Sequence, residues 1–160
     1  MNAHPSGRIR TAGLLALLCA AFGTAYARQA GSAAAIPEAQ LVQPETLAQI
    51  LRSTAGAKPL IFQVGPHVMF AEAHPPGAEY IGAGALDSGI QALRERVKTL
   101  PHDQSIVLYC GCCPWIKCPN VAPAYQQLVT LGFGNVKVMY VATNFGADWV
   151  SKGYPVEKGR

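Results

Sequence analysis

The chain has 160 residues, of which 13 are Lys or Arg and 9 are Asp or Glu, and its formal net charge is +4. The basic residues are scattered along the chain rather than clustered, which argues against a nucleic-acid-binding surface. Of all the residues, 50% are hydrophobic, but no apolar run after the N-terminal segment is long enough to cross a membrane.

The N-terminal segment has the order of charge and hydrophobicity that is typical of a secretory signal peptide. Arg8 and Arg10 precede the apolar run TAGLLALLCAAFG, and the small residues Ala25 and Ala27 follow it. This run is short for a membrane span, so an uncleaved anchor is the less favoured reading. A lipoprotein with a lipid attached to Cys19 is a further alternative, but the large side chain of Leu18 just before it makes this reading less favoured.

Three regions follow from this reading of the N-terminus. We expect residues 1–27 to be a signal peptide cleaved after Ala27, and residues 28–40 to be a flexible leader rich in small residues. Residues 41–160 are expected to form one folded domain. The mature protein is therefore expected to be exported, to the periplasm or the medium, and to have no membrane attachment after cleavage.

Helical and strand patterns alternate in the rest of the chain. Helical spacing of apolar residues occurs in QPETLAQILRSTAG, SGIQALRERVKTL and PNVAPAYQQLVTLGFG, whereas KPLIFQV, SIVLYC and NVKVMY are the short apolar runs of buried strands. The Gly- and Pro-rich segment from Gly65 to Gly89 is predicted to be mostly irregular, with a brief strand near Tyr80 and Ile81. This alternation predicts an α/β fold in three layers, with a mostly parallel central sheet and helices on both faces.

Four of the five cysteines lie in the segment CGCCPWIKC, which covers residues 110–118. Cys110 ends the strand pattern SIVLYC, and the carboxyl ends of parallel strands are where such sheets hold their chemistry. A cysteine reacts as its thiolate. We expect loop amides and a helix N-terminus to face the sulfur of Cys110 and to lower its pKa.

Five stretches, in order along the chain, resemble parts of the rhodanese-like domains, a family of sulfurtransferases that carry sulfur as a cysteine persulfide. PETLAQIL resembles the opening helix, AHPPGA a His-Ile-Pro-Gly-Ala turn, IVLYC the strand before the active cysteine, LVTLGFGNVKVM the next helix end and strand, and DWVSKGYPVEK the closing segment. The resemblance covers most of the chain from Leu41 onward. It implies the rhodanese-like fold and the transfer of a sulfane sulfur from a donor such as thiosulfate to a thiol or cyanide, without a cofactor.

The chain departs from the family pattern at two places. Gln63 and Gly65 stand where the family usually has an Asp and an Arg that help to shape the site. The family's active loop usually runs from the cysteine through four residues to an Arg, whereas here six residues separate Cys110 from Lys117.

These departures leave two candidates for the sulfur-carrying residue. Cys110 is favoured by its place at the strand end, and Cys112 is the second choice because four residues separate it from the basic Lys117. Lys117 is expected to attract a small sulfur-containing anion as the donor. The acceptor is expected to be a small thiol or a protein thiol. The predicted active-site loop consists of Gly111, Cys112, Cys113, Pro114, Trp115, Ile116 and Lys117.

Three other roles for the cysteines remain open. An exported protein meets oxidising conditions, so a disulfide of Cys110 with Cys113, or of Cys113 with Cys118, is one possibility. Thiol–disulfide exchange, or a binding module that keeps the fold without turnover, is the second. A metal site is the third, but none is expected because the spacing is not that of a zinc ribbon and no His lies nearby.

Overall fold

The computed structural model describes residues 36–159. The predicted signal peptide, residues 1–27, lies outside the described residues, as do residues 28–35 of the predicted leader. Within the described range, every helix is too short or too polar to cross a membrane.

The central sheet of the domain has five strands in the order β1-β5-β4-β2-β3. Every neighbouring pair is parallel, with β4 hydrogen-bonded between β5 and β2. This confirms the predicted parallel sheet. The first strand has two residues, too few to give a sequence pattern. The strands are β1 (Leu41–Val42), β2 (Leu60–Gln63), β3 (Ala78–Tyr80), β4 (Ile106–Tyr109) and β5 (Val136–Met139).

Five α-helices connect or follow these strands. Three of the five match the helical patterns in the sequence, α5 is a single short turn for which no pattern was given, and α2 lies in the segment that was predicted to be mostly irregular. Its six residues are flanked by Pro66 and Ala73, so it is too short for a clear helical period. The helices are α1 (Pro44–Arg52), α2 (His67–Glu72), α3 (Asp87–Val97), α4 (Val121–Thr130) and α5 (Phe145–Asp148).

The side chains of β4 alternate between two hydrophobic clusters, one on each face of the sheet. Leu108 and Cys110 point to the cluster that contains residues of α3 and α4. Val107 and Tyr109 point to the cluster that contains residues of α1 and α5. Successive strand residues face opposite sides, so a strand buried on both faces is apolar throughout. The predicted three layers, with helices on both faces, are confirmed.

The folded domain begins earlier than the sequence predicts. Ile36 is buried in the core on the α3 and α4 face, and Glu38–Gln40 form a 3-10 helix just before β1. The Nζ atom of Lys137 on β5 donates a hydrogen bond of 2.7 Å to the backbone oxygen of Ala39. Residues 36–40 are therefore part of the domain rather than of a flexible leader. Ile36 is a single apolar residue among small ones and gives no periodic pattern, so its burial could not be predicted from the sequence.

The segment that follows β2 packs tightly against the end of β4. A Cβ atom on Gly65 would lie 2.5 Å from Sγ of Cys110 and 2.7 Å from its backbone oxygen. Both distances are shorter than any ordinary carbon contact, so the absence of a side chain at Gly65 allows Cys110 to occupy its position.

We expect Gly65→Ala to destabilise the domain by about 1–3 kcal/mol, the usual cost of adding a carbon atom to a filled interior. Gly134→Ala is the matched control, because a Cβ atom there would meet nothing within 4 Å. Denaturant unfolding of both variants measures the difference. Equal stability of the two variants would contradict the tight packing of Gly65 on Cys110.

Candidate active site

Cys110 lies directly after β4, near the centre of the sheet at its carboxyl edge. The backbone N–H of Val64 donates to the oxygen of Tyr109 over 2.9 Å, so the sheet pairing reaches the residue before the cysteine. Gly111 then has a φ of 90°, in the left-handed region that favours glycine. The chain turns sharply there, and the Cys110 side chain stays buried with 2% of its surface exposed.

The loop brings the sulfur atoms of four cysteines together. Sγ of Cys110 lies 3.2 Å from Sγ of Cys112, which lies 2.8 Å from Sγ of Cys113. The sulfur atoms of Cys110, Cys112 and Cys118 all lie within 4.8 Å of one another. Cys110 and Cys118 are buried, whereas Cys112 and Cys113 are half-buried. We call these four residues the thiol cluster.

The amino end of α4 supplies hydrogen-bond donors to the buried sulfur atoms. Nδ2 of Asn120 donates to Sγ of Cys110 over 3.4 Å, and the backbone N–H groups of Asn120 and Val121 donate to Cys118. Oδ1 of Asn120 accepts from the backbone N–H of Ala85 over 3.1 Å, which fixes the orientation of the amide. Asn120 is therefore a site residue that sequence reasoning missed, and its position directly before the helical pattern of α4 is the one sequence signal for it.

Within the cluster, the negative charge is best stabilised on Cys118. A hydrogen bond from the Cys110 thiol lowers the pKa of Cys118 to about 6, and the two backbone N–H groups act in the same direction against the effect of burial. Because Cys110 and Cys118 interact, the two thiols titrate as a coupled pair, in which Cys118 loses its proton before Cys110.

The prediction that the pKa of Cys110 is lowered is wrong. Its hydrogen bond to Cys118, together with burial, raises the pKa of Cys110, although the backbone N–H of Cys112 acts in the opposite direction. Burial and the hydrogen bond with Cys112 raise the pKa of Cys113 to about 12. The helix end therefore stabilises a thiolate in this loop, as expected, but on the cysteine eight residues further along the chain.

Gln63 holds the backbone of Cys110 in place. Its Nε2 atom donates to the Cys110 oxygen over 2.9 Å and to the Pro66 oxygen over 3.3 Å, and its Oε1 atom accepts from the Gly65 N–H over 3.2 Å. Gln63 is 1% exposed. Gln63 and Gly65, the two residues that depart from the family pattern after β2, therefore act together. The Gln63 amide bonds the backbone of Cys110, and Gly65 leaves space for its side chain.

A cleft of about 480 Å³ opens beside the thiol cluster, lined by Cys110, Gly111 and Cys112 together with residues of α2, α5 and the C-terminal segment. Among the described residues, the cationic side chain that lines this cleft is Lys158, and Glu72 of α2 also lines it. Lys117, the predicted cation, is exposed at the end of a 3-10 helix and is not among the residues that line the cleft. No sequence pattern links Lys158 to the cysteines.

The remaining residues of the predicted loop secure it to the domain or face solvent. Trp115 is half-buried, and its backbone N–H donates to the Val141 oxygen over 2.8 Å. Pro114 is also half-buried, whereas Ile116 is exposed. Trp115 therefore fastens the loop to the segment after β5, and it does not line the cleft.

All four cysteines of the cluster are free thiols in the structure. The short sulfur contacts in the structure are those of Cys112 with Cys113, at 2.8 Å, and of Cys110 with Cys112, at 3.2 Å, rather than either pair considered from the sequence. The structure thus places Cys112, rather than Cys113, against Cys110. Spacing alone could not reveal this, because the turn at Gly111 sets which sulfur atoms meet.

His74, in the AHPPGA stretch, is not among the residues that line the cleft beside the thiol cluster. Its ring stacks on Phe70 at a centroid distance of 3.9 Å, and Nδ1 lies 2.8 Å from the Phe70 oxygen. The backbones of His74 and Glu157 also pair. The stretch is therefore a packed turn that ties the C-terminal segment to α2.

No protein-family model matches the chain, and no curated protein matches it in sequence. The similar solved structures include the rhodanese-like domain of the Alr3790 protein from Anabaena sp., at 20% identity and a TM-score of 0.54, with 74% of this chain and 79% of that chain covered. A rhodanese-like domain protein from Staphylococcus aureus is similar at 13% identity and a TM-score of 0.52, over 76% of this chain and 99% of that one.

The third similar structure is EanB in complex with hercynine, at 22% identity and a TM-score of 0.53, where the match covers 74% of this chain and 27% of EanB. Identities this low establish the fold and leave the chemistry to the site itself. The order of the parallel strands, the helices on both faces and these likenesses agree with the resemblance found in the sequence. This chain has the rhodanese-like fold.

Proposed function

We propose that this domain is a sulfurtransferase that carries a sulfane sulfur as a persulfide on Cys110. The observation that supports it best is the closeness of Cys110 at the end of β4 to Cys118 at the amino end of α4, whose sulfur atoms lie within 4.8 Å of each other and whose pKa values shift in opposite directions. The pair brings a nucleophile and a base close together, which is the arrangement that activates a weak nucleophile. The adjoining cleft gives a donor access to Cys110.

In the first half-reaction, Cys110 attacks the outer sulfur of a donor such as thiosulfate. As the new S–S bond forms, the proton of the Cys110 thiol moves to the Cys118 thiolate. The S–S bond of thiosulfate breaks, and sulfite leaves with its electron pair. The persulfide on Cys110 then carries the negative charge that Cys118 held before. The Asn120 amide and the backbone N–H of Cys112 are positioned to stabilise that charge.

In the second half-reaction, an acceptor thiolate attacks the outer sulfur of the persulfide. The S–S bond to Cys110 breaks, the acceptor becomes a persulfide, and Cys110 recovers its proton from Cys118. The raised pKa of Cys110 favours this return of the proton. The predicted export places both steps outside the cytoplasm, with a small sulfur-containing anion as donor and a small or protein thiol as acceptor.

Thiol–disulfide exchange is a second candidate, favoured by one contact. Sγ of the half-buried Cys112 lies 3.2 Å from Sγ of Cys110, close enough for the two to form a disulfide after a small approach. In that function Cys112, the more exposed of the two, would attack a substrate disulfide and Cys110 would resolve the mixed disulfide. A substrate disulfide, rather than thiosulfate, would then be consumed.

Release of sulfite tests the proposed carrier. Reduced protein mixed with thiosulfate, without an acceptor, should release sulfite in proportion to the protein added, and Cys110→Ser should release none above background. Cys118→Ser should react about 100-fold more slowly, because it removes the base. Cys113→Ser is the matched control and should stay close to wild type.

The same mixture of reduced protein and thiosulfate also tests Cys112 as the carrier and thiol–disulfide exchange as the function. If Cys112→Ser abolishes sulfite release while Cys110→Ser retains it, Cys112 is the carrier and the assignment of Cys110 is wrong. If the wild type releases no sulfite yet reduces a small disulfide, thiol–disulfide exchange replaces sulfur transfer as the function.

The charges that line the cleft predict how an anionic donor is used. Lys158→Ala should raise the KM for thiosulfate about two- to fivefold, the effect of one exposed charge. Glu72→Gln should lower it, and both effects should fade at high salt. Steady-state kinetics at two ionic strengths measure them. Lys117→Ala is the control, and a larger effect there than at Lys158 would show that the donor approaches the loop from its outer side.

A further inference from the structure

The thiol cluster has a geometry that sulfur transfer does not require. Sulfur transfer needs one nucleophile and one base, yet the sulfur atoms of Cys110, Cys112 and Cys118 lie mutually within 4.8 Å, and Cys110 and Cys112 are 3.2 Å apart. We propose that these three residues also bind one Cu(I) ion. This site goes beyond the proposed sulfur transfer and does not depend on it.

The distances fit a metal ion held by three thiolates. A metal–sulfur bond of about 2.3 Å places the sulfur atoms of a three-coordinate site about 4 Å apart. The observed spacing brackets that value, from 3.2 Å for one pair up to 4.8 Å for the set. To hold an ion at the centre, the sulfur atoms of Cys110 and Cys112 must separate by about 0.8 Å, from 3.2 Å to about 4 Å.

The choice of Cu(I) follows from the number and kind of ligands. Thiolates alone are soft ligands, which select Cu(I) or Zn(II) over harder ions. Structural zinc sites are almost always four-coordinate. Among the residues that the structure describes, the candidate ligand group contains three thiols and no imidazole or carboxylate, and Cys113 is not one of the group. Three thiols therefore favour Cu(I).

The surroundings of the three sulfur atoms suit bound thiolates. Cys118 accepts from the backbone N–H groups of Asn120 and Val121, and Cys110 accepts from the Asn120 amide and the backbone N–H of Cys112. Such donors outside the ligand set orient the ligands and offset their negative charge. No electron is transferred on binding, and each thiol that becomes a ligand releases its proton to solvent.

The burial of the ligands defines how the ion arrives. Cys110 and Cys118 are buried, whereas Cys112 is half-buried and lines the cleft. An ion would therefore meet Cys112 first and then move inward to the other two sulfur atoms. Because Cys110 is also the proposed sulfur carrier, bound Cu(I) and a persulfide exclude each other at this site.

The test is an anaerobic titration of the reduced full chain with Cu(I) against a chromophoric Cu(I) chelator. Cys19→Ser serves as the background, because Cys19 is the one cysteine outside the cluster. We expect one Cu(I) per chain by native mass spectrometry, with thiolate-to-copper absorption. Cys110→Ala, Cys112→Ala and Cys118→Ala should each weaken binding by more than about 100-fold, and Asn120→Ala by about tenfold.

Cys113→Ala is the matched control, because it removes a thiol of the same loop that lies outside the ligand group, and it should bind Cu(I) nearly as tightly as the parent. If it loses as much affinity as the other three, the three-coordinate assignment is wrong. Failure to compete with the chelator, or preference for Zn(II) over Cu(I), would overturn the proposal. If Cys110→Ala and Cys118→Ala do not fold, Cys112→Ala still decides the test, because the Cys112 side chain is only half-buried. Sulfite release reports on sulfur transfer separately.

Discussion

The proposed chemistry of this domain depends on one interaction, that between the thiol of Cys110 and the sulfur atom of Cys118, which lie within 4.8 Å of each other. It joins the end of the central strand β4 to the amino end of α4, and it sets the pKa values of both residues in opposite directions. A buried thiolate is costly unless donors surround it. The backbone N–H groups at the start of α4 supply those donors, so the charge resides next to the helix rather than at the strand.

The rest of the fold positions this pair. Parallel pairing on both sides of β4 fixes the backbone up to Tyr109, and the turn at Gly111 sends the loop back over the cysteine. Gln63 at the end of β2 donates one hydrogen bond to the backbone oxygen of Cys110 after β4, and two further hydrogen bonds, with Gly65 and Pro66, fix the orientation of its amide. In this chain a neutral amide and a glycine do the positioning that a family Asp and Arg were expected to do. Among the described residues, neutral groups and other thiols therefore hold Cys110 in place.

The parts of the fold with repeating patterns could be predicted from the sequence. Continuous apolar runs marked β2, β4 and β5, helical spacing marked α1, α3 and α4, and the resemblance gave the fold. Short elements could not be predicted, since β1 has two residues and α2 has six, too few for a period to emerge. The position of Cys110 was predicted because strand geometry fixes it.

The contacts inside the site could not be predicted from spacing. Which sulfur atoms meet depends on the turn at Gly111, and the location of the thiolate depends on where α4 begins. Lys158 reaches the cleft from the far end of the chain, a contact between distant segments that no local pattern encodes. Sequence distance pointed to Lys117 as the cation, but the 3-10 helix that contains it places this side chain in solvent.

The most direct measurement of the shared proton is the ultraviolet absorbance of thiolate in the reduced protein as a function of pH. We expect one thiolate to appear as the pH rises through about 6, the pKa of Cys118, and to be protonated below it. Cys113→Ser should keep this transition and Cys118→Ser should lose it. If the wild type shows no thiolate until about pH 8.5, the value for an ordinary cysteine, the pair does not hold a charge at neutral pH and the proposed base is absent.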